Sequence, residues 1–487
     1  MSVQILLGCA LLMTGAAPAR PSTSALGGLY NAAVMSEGRQ RTTAEEALAD
    51  ELLRTGFPVA ASVYYTRVVR AGEGTERPLD AVEGLVRAQQ QVQDEYLVPS
   101  LLAAEQKDSW SRLSPEVFAR VSLLIAMVEH RKGLLDAARA RLITVSPGSA
   151  VFAKAQYLLG VVLADARLPG GAQADAAQAA FSRVTALKDV HQEDLQNTRG
   201  LAQLGMARVH YAQGRYDAAT AAYDAVPRFS RYWDEALFEN GYARFRQGDL
   251  GGALGSLESL HAPQFEGSFL PESFILKGTI YFFSCLYEES KSSLDAFDQR
   301  YAPMMEQLKP WATEERDLMS YYRVVADKDS TAIARPVLLW IRSNERMLGL
   351  VRMLEETGKE QARLKTAEGV SGTGAESGLL ADLAQTEGTL TQVAGQLARN
   401  RMVEAYRDLR DFSGRAEIIK FETTKADKEL VESGVDQRAL LAHQRVYRPR
   451  MPGSDWTYWK FQREYWIDEI GYYQYTLKNG CPYRDKK

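Results

Sequence analysis

Residues 204–227 read LGMARVHYAQGRYDAATAAYDAVP, residues 241–260 read GYARFRQGDLGGALGSLESL, and residues 278–303 read GTIYFFSCLYEESKSSLDAFDQRYAP. These are three writings of one unit within Thr198–Pro303. The first has Leu204-Gly205, Tyr211, Gly214, Tyr216, Ala219, Tyr223 and Pro227. The second has Gly241, Phe245, Gly248, Leu250, Ala253, Leu257 and Leu260. The third has Gly278, Tyr281, Cys285, Tyr287, Ser290, Leu294, Phe297 and Pro303. Each unit reads as two amphipathic helices joined at a small residue. One such hairpin cannot bury its own apolar face, so the recurrence predicts stacked helical hairpins.

The spacing has a physical basis. Gly241 and Gly278 on the first helix let the second helix approach closely. Gly214 and Gly248 end a first helix in a backbone state that is costly for other residues. Ala219 and Ala253 stand where the helices cross, and Tyr223, Leu257 or Leu294, one turn later, is expected to fill the gap to the next hairpin. Weaker copies lie upstream. Ala126, Gly133, Ala138 and Leu142, ended by Pro147, form one. Tyr157, Leu159, Gly160, Ala177, Phe181 and Val184 form another, with a longer turn at 168–171. Gly56, Ala61, Tyr65 and Val69 read as the second half of a first copy, and Leu85–Ala104 as a degenerate one. Six or seven hairpins are expected.

The small-large-small pattern resembles the tetratricopeptide repeat family, over a little more than half of the chain. It departs from the family at Cys285, where glycine is usual, and at Ser290, where alanine is usual. The resemblance implies an all-α fold whose first helices line a concave, partner-binding groove. Counting the helical period from the small crossing residue, the groove-facing residues are Arg208, Tyr211, Glu235, Phe238, Tyr242, Phe245, Arg246, Thr279, Phe282 and Phe283. An aromatic surface with two arginines suits an extended peptide or an apolar helix, with arginine pairing a carboxylate. The same aromatics also suit packing between neighbouring hairpins.

At 487 residues the chain exceeds a single globular core. Its hydrophobic content of 46%, charged content of 25% and net charge of −4 are those of a folded protein with no basic surplus for nucleic acid or an anionic membrane. Residues 1–19 read as a secretory signal: Ile5–Ala19 is apolar and small, and Ala17-Pro18-Ala19 has the small-x-small form of a cleavage site. No Lys or Arg precedes the apolar run. Leu6-Leu7-Gly8-Cys9 offers an alternative, a lipid anchor on Cys9 at the outer membrane. The expected compartment is the periplasm, with no membrane-spanning segment in the mature chain. Of three cysteines, Cys285 and Cys481 then remain. They could pair in an oxidising compartment, or stand as two free thiols.

Residues 28–303 are thus expected to form the solenoid. In 304–440, Ile333, Val337, Ile341, Leu348, Val351 and Leu354 describe one long helix within 331–365, and Leu383, Leu390 and Leu397, with Val393, describe a second. A Gly/Ser linker at 369–378 separates them, which predicts a long antiparallel hairpin or a coiled coil with another chain. Residues 441–487 are aromatic: Trp456, Tyr458, Trp459, Phe461, Tyr465, Trp466, Tyr472, Tyr473, Tyr475 and Tyr483. A terminal helix capping the open end of the stack is expected, or else a surface for a partner or glycan.

The five histidines, His130, His191, His210, His261 and His443, form no metal-ligand spacing, and the Gly372-x-Gly374 run follows no strand. Gly-x-Ser-x-Gly and P-loop patterns are absent from the sequence. The reading is therefore a non-enzyme without a cofactor. The run Glu272–Pro303 and the tail Glu464–Tyr473 resemble exported repeat proteins of myxobacteria and other deltaproteobacteria. This similarity, with the signal, implies a periplasmic repeat component of the adventurous gliding-motility machinery. In that family such proteins are envelope scaffolds linking inner-membrane motor parts to outer-membrane adhesion parts. An accessory of outer-membrane or cell-wall biogenesis, binding nascent envelope proteins or peptidoglycan, is the alternative.

Overall fold

The computed structural model describes residues 22–72, 78–188, 191–444, 453–455, 457, 459–462 and 464–481. The signal-like residues 1–19 and Trp456, Tyr458 and Tyr483 lie outside that set. Among the described residues every regular element is a helix and no strand occurs. The first helices are α1 (Leu26–Met35), α2 (Gly38–Arg54), α3 (Pro58–Ala71) and α4 (Pro78–Val92). There follow α5 (Leu97–Ala104), α6 (Pro115–Arg131), α7 (Leu135–Ile143), α8 (Phe152–Ala164) and α9 (Ala174–Ala186). The stack continues through α10 (Leu195–Ala212), α11 (Tyr216–Asp224), α12 (Trp233–Gln247), α13 (Leu250–Leu260), α14 (Glu272–Phe283) and α15 (Tyr287–Thr313). After it come α16 (Leu318–Ala326), α17 (Arg335–Arg342), α18 (Glu345–Leu364), α19 (Gly374–Glu432) and α20 (Gln437–His443). The chain divides into two units: residues 1–92 with 355–386, and residues 93–354 with 387–487.

The larger unit is a solenoid-like stack in which each helix packs on its neighbour. The first helices also meet one another, α6 on α8, α8 on α10 and α12 on α14, whereas the second helices make no comparable contact. The row of first helices is therefore the more closely packed one. Within hairpins the glycines do what the spacing requires: Gly241 lies against Leu257 and Gly278 against Leu294. Leu257 enters the space left by the missing Cβ of Gly241 and also shares one core cluster with Leu276, Ile280 and Tyr281 of the next hairpin, whereas Leu294 lies against Gly278 of its own hairpin. Tyr223 does reach the next hairpin, where Glu239 holds its hydroxyl protonated after burial has pushed the group up. Ala219 and Ala253 are fully buried at the crossings. Gly214 and Gly248 hold φ at +72° and +88°, and at the equivalent turn Cys285 sits at +54°.

Three expected boundaries move. Pro303 does not end the third hairpin, because α15 runs through both Pro303 and Pro310. The carbonyls these prolines leave unbonded belong to Gln299 and Glu306, whose residues are exposed, so water can satisfy them. The expected helix over 331–365 breaks at Ser343-Asn344, where the Asn344 side chain accepts hydrogen bonds from the Arg346 and Met347 N–H groups and caps α18. Finally, residues 369–378 are not a free linker. Gly374 to Gly378 already belong to α19, a Cβ at Gly369 would press on the Ser24 backbone, and one at Gly378 would enter the Tyr30 ring. Glycine serves close packing there.

In the smaller unit the carboxylate of Glu360 caps α3. It accepts hydrogen bonds from the Val59 N–H (2.7 Å) and the Ala60 N–H (2.9 Å). Arg363 donates to the Gly56 and Thr55 carbonyls at the end of α2. Burial pushes the Glu360 carboxyl up from 4.5 to about 8, against the two N–H groups that favour the anion. A carboxyl raised in the folded state binds more protons than in the unfolded chain, so stability falls as pH rises from about 4.5 to about 8. Glu360→Gln is expected to flatten this part of the melting-temperature profile between pH 5 and 9. Parallel profiles for the two proteins would contradict the assignment.

Candidate protein-binding face

The ten groove residues lie on α10, α12 and α14, and the fold sorts them into three groups. The first is an ion network. Arg208 donates to Glu239 (2.8 and 3.1 Å) and to Glu235 (2.5 Å) across the α10–α12 contact. Desolvation opposes the guanidinium charge, but Glu239 and Glu235 hold its pKa above the ordinary value. Burial, with Glu345 next, pushes the nearby Tyr157 phenol up to about 12. The chain's own segment at the start of α18 reaches this end of the row: Tyr232 donates to Glu345 (2.9 Å) and Arg231 to the Ser343 carbonyl (2.9 Å).

The second group holds the stack together. Phe238 and Tyr242 meet edge to face at 5.4 Å and pack on Leu254, Leu257 and Leu276. The Tyr242 hydroxyl donates to Glu272 (2.9 Å), which also takes Arg415 of α19 (3.0 Å). Burial and then Glu272 push the Tyr242 phenol up to about 12. The Thr279 hydroxyl is spent on the Ile275 carbonyl. These three residues are structural.

The third group gathers at the turn ends of the same helices. Tyr211 meets Tyr216 edge to face at 5.5 Å, and the Arg246 guanidinium lies 5.2 Å from the Tyr216 ring centroid. Phe245 packs on Phe283 at 6.1 Å, and Phe282 lies between Phe283 and Tyr287. Phe283 is 63% exposed. It borders a cleft of ≈ 640 Å³ lined by Arg244, Asp249, Leu250, Phe283, Tyr475 and Lys478. The resulting strip is aromatic and cationic and crosses three hairpins.

One wall of that cleft is the C-terminal tail, which departs from the expected terminal helix. Among the described residues 453–481 there is no helix. Instead, after a turn at 467–471, residues 472–480 run extended, with the Tyr475 N–H donating to the Gly251 carbonyl of α13 (3.1 Å) and the Gly480 N–H to the Ser284 carbonyl at the end of α14 (2.8 Å). A Cβ at Gly251 would strike the Tyr475 carbonyl, and one at Gly255 the Tyr473 carbonyl. Ser259 accepts from the Gly471 N–H (2.8 Å), and Glu258 accepts from the Tyr465 hydroxyl (2.8 Å). A disulfide joins Cys481 to Cys285, and Gln437 of α20 donates to the Cys285 carbonyl.

The sequence matches no known family model and no curated protein. The site therefore stands on its own geometry. Sequence reading found the row of first helices and most of the exposed strip. It missed Glu239, whose spacing four residues after Glu235 was a usable signal. It also missed Glu272, Glu345 and Arg415 and the path of the tail over α13, because pairing between distant segments leaves no local trace. Among the described residues no helix is long and apolar enough to cross a membrane.

Proposed function

We propose that this chain is a non-catalytic scaffold of tetratricopeptide type that binds other proteins of a bacterial cell envelope along its row of first helices. The observation that carries the reading is the cleft beside exposed Phe283, continuous with the Tyr211–Tyr216–Arg246 strip. Aromatic and arginine side chains at one surface are the groups that most often dominate protein interfaces. Its expected ligand is an extended peptide or helix of a partner, with a carboxylate meeting Arg246. The Cys285–Cys481 bond supports an oxidising compartment, in keeping with the signal-like sequence before Arg20. The resemblance of Glu272–Pro303 and of the tail to gliding-motility repeat proteins makes that machinery the setting we infer.

A photo-crosslinking residue at position 283, placed in cells, is expected to trap one or a few envelope proteins. The same residue at exposed Ile143 should trap none of them. Arg246→Glu with Phe283→Ser should cut recovery of the trapped partner by about tenfold and leave the melting temperature unchanged. Equal adducts at positions 283 and 143 would reject the site. Partners of motor or adhesion type would support the gliding setting, and barrel-assembly partners the biogenesis alternative.

A further inference from the structure

Among the described residues the C-terminal tail turns Phe461, Tyr465 and Tyr473 inward and displays Trp459, Trp466, Tyr472 and Tyr475. Tyr465, Ile470 and Tyr473 pack into a cluster with Trp233, Leu237, Ala262 and Phe265. Trp466, Ile467 and Tyr472 point outward, 58%, 63% and 47% exposed. Arg228 gathers the displayed residues. It donates to the carbonyls of Ile467 (2.9 Å), Asp468 (3.1 Å) and Ile470 (2.7 Å). Its guanidinium also lies 4.6 Å from the Tyr472 ring centroid and 5.4 Å from that of Phe229.

Phe229 adds a second, independent observation. Its φ is +59°, a left-handed conformation that is unfavourable for a bulky side chain. The ring gains little burial in return, being 52% exposed with one edge on Trp233 at 4.6 Å. A strained backbone that holds an aromatic ring out in water, with Arg228 joining it to the exposed Tyr472 ring and to the Ile467 carbonyl, is costly for stability alone. Such contiguous patches mark interaction sites.

The surroundings say what would fit. Glu464, Asp468 and Glu469 flank the patch, and the Glu469 carboxyl is held above its ordinary value by burial and by the other two carboxylates. Arg228 turns one guanidinium nitrogen, Nη2, to the three backbone carbonyls. A ligand that brings its own cations relieves this crowding of negative charge.

We propose that Phe229, Trp466, Ile467 and Tyr472 form a second docking surface, separate from the row of first helices, for a basic amphipathic segment of a partner protein. The segment lays its large apolar side chains on the four residues and sets lysine or arginine against Glu464, Asp468 and Glu469. The strap is held on α13 by the disulfide, by the glycine contacts and by Arg228, so the surface is preorganised.

The test uses the full oxidised chain and a fluorescent 18-residue helical peptide of leucine and lysine, read by anisotropy at physiological salt. A leucine–glutamate and a serine–lysine peptide are the controls. Micromolar binding of the leucine–lysine peptide alone is expected. Trp466→Ser with Ile467→Ser should weaken it by about tenfold or more, and so should the triple change Glu464→Gln, Asp468→Asn, Glu469→Gln. Phe229→Gly should weaken it too, with the melting temperature unchanged or raised, because glycine accepts the positive φ. Binding that ignores these substitutions overturns the proposal. So does equal binding of either control peptide. Sedimentation showing the patch covered by a second copy of the chain, with the basic peptide excluded, overturns it as well.

Discussion

Replacing Cys285 and Cys481 together by serine is expected to lower stability by up to about 5 kcal/mol. The two residues are 196 apart in sequence. Cross-linking so long a loop removes about that much chain entropy from the unfolded state. The folded state loses little by comparison, because the N–H groups of Gly480, Gly471 and Tyr475 still hold the tail by hydrogen bonds to the Ser284 carbonyl, the Ser259 hydroxyl and the Gly251 carbonyl. A finer comparison separates the bond from the backbone that carries it. Cys285 adopts φ +54° at a turn where Gly214 and Gly248 stand in the preceding hairpins. Cys285→Gly with Cys481→Ser should therefore be more stable than the double serine variant by about 1 kcal/mol. Guanidinium titrations followed by tryptophan fluorescence measure both differences. Coincident midpoints for the oxidised wild type and the double serine variant would show that the bond contributes nothing.

Gly255→Ala should destabilise the protein by about 2–4 kcal/mol, opposite in sign to what helix propensity dictates. In a helix interior alanine is favoured over glycine by about 1 kcal/mol. Gly414 of α19 has no atom within 4 Å of where its Cβ would stand, so Gly414→Ala should stabilise by about that amount. At Gly255 the added methyl meets the Tyr473 carbonyl, and a main-chain atom cannot rotate aside. The tail must lift, which strips Ile470 and Tyr473 from Trp233 and Leu237 and breaks the Gly471 bond to Ser259. Loss of that apolar burial sets the magnitude. Denaturant midpoints give the sign, and faster tryptic cleavage after Lys478 locates the cause. If both alanine variants gained stability, the tail would not be seated on α13.

The site shows the same division between what neighbours in sequence reveal and what they do not. Counting the helical period placed Arg208, Tyr211, Phe245, Arg246 and Phe283 on one row of helices. It could not separate Phe238, Tyr242 and Thr279, which serve the packing, from the exposed strip, because a half-buried aromatic and a displayed one have the same local pattern. The heptad leucines 383, 390 and 397 announced a long helix, but its true span, 374–432, follows from tertiary support along its length. Arg415 and Lys420 of α19 pair with Glu272 and with Asp295 and Asp298.

By itself the sequence determined the helical hairpins, their turns and the order in which they stack. Those features rest on bonds and contacts within about forty residues, and the hairpins of 198–303 repeat a small crossing residue (Ala219, Ala253, Ser290) and a positive-φ turn (Gly214, Gly248, Cys285). Only the tertiary structure decided that α13 is rich in glycine to receive a backbone, that the aromatic tail is an extended strap rather than a helix, and that Cys285 meets Cys481. An extended segment makes no hydrogen bonds to itself, so its path is chosen by the surface it lies on, and that surface is written far away in the chain.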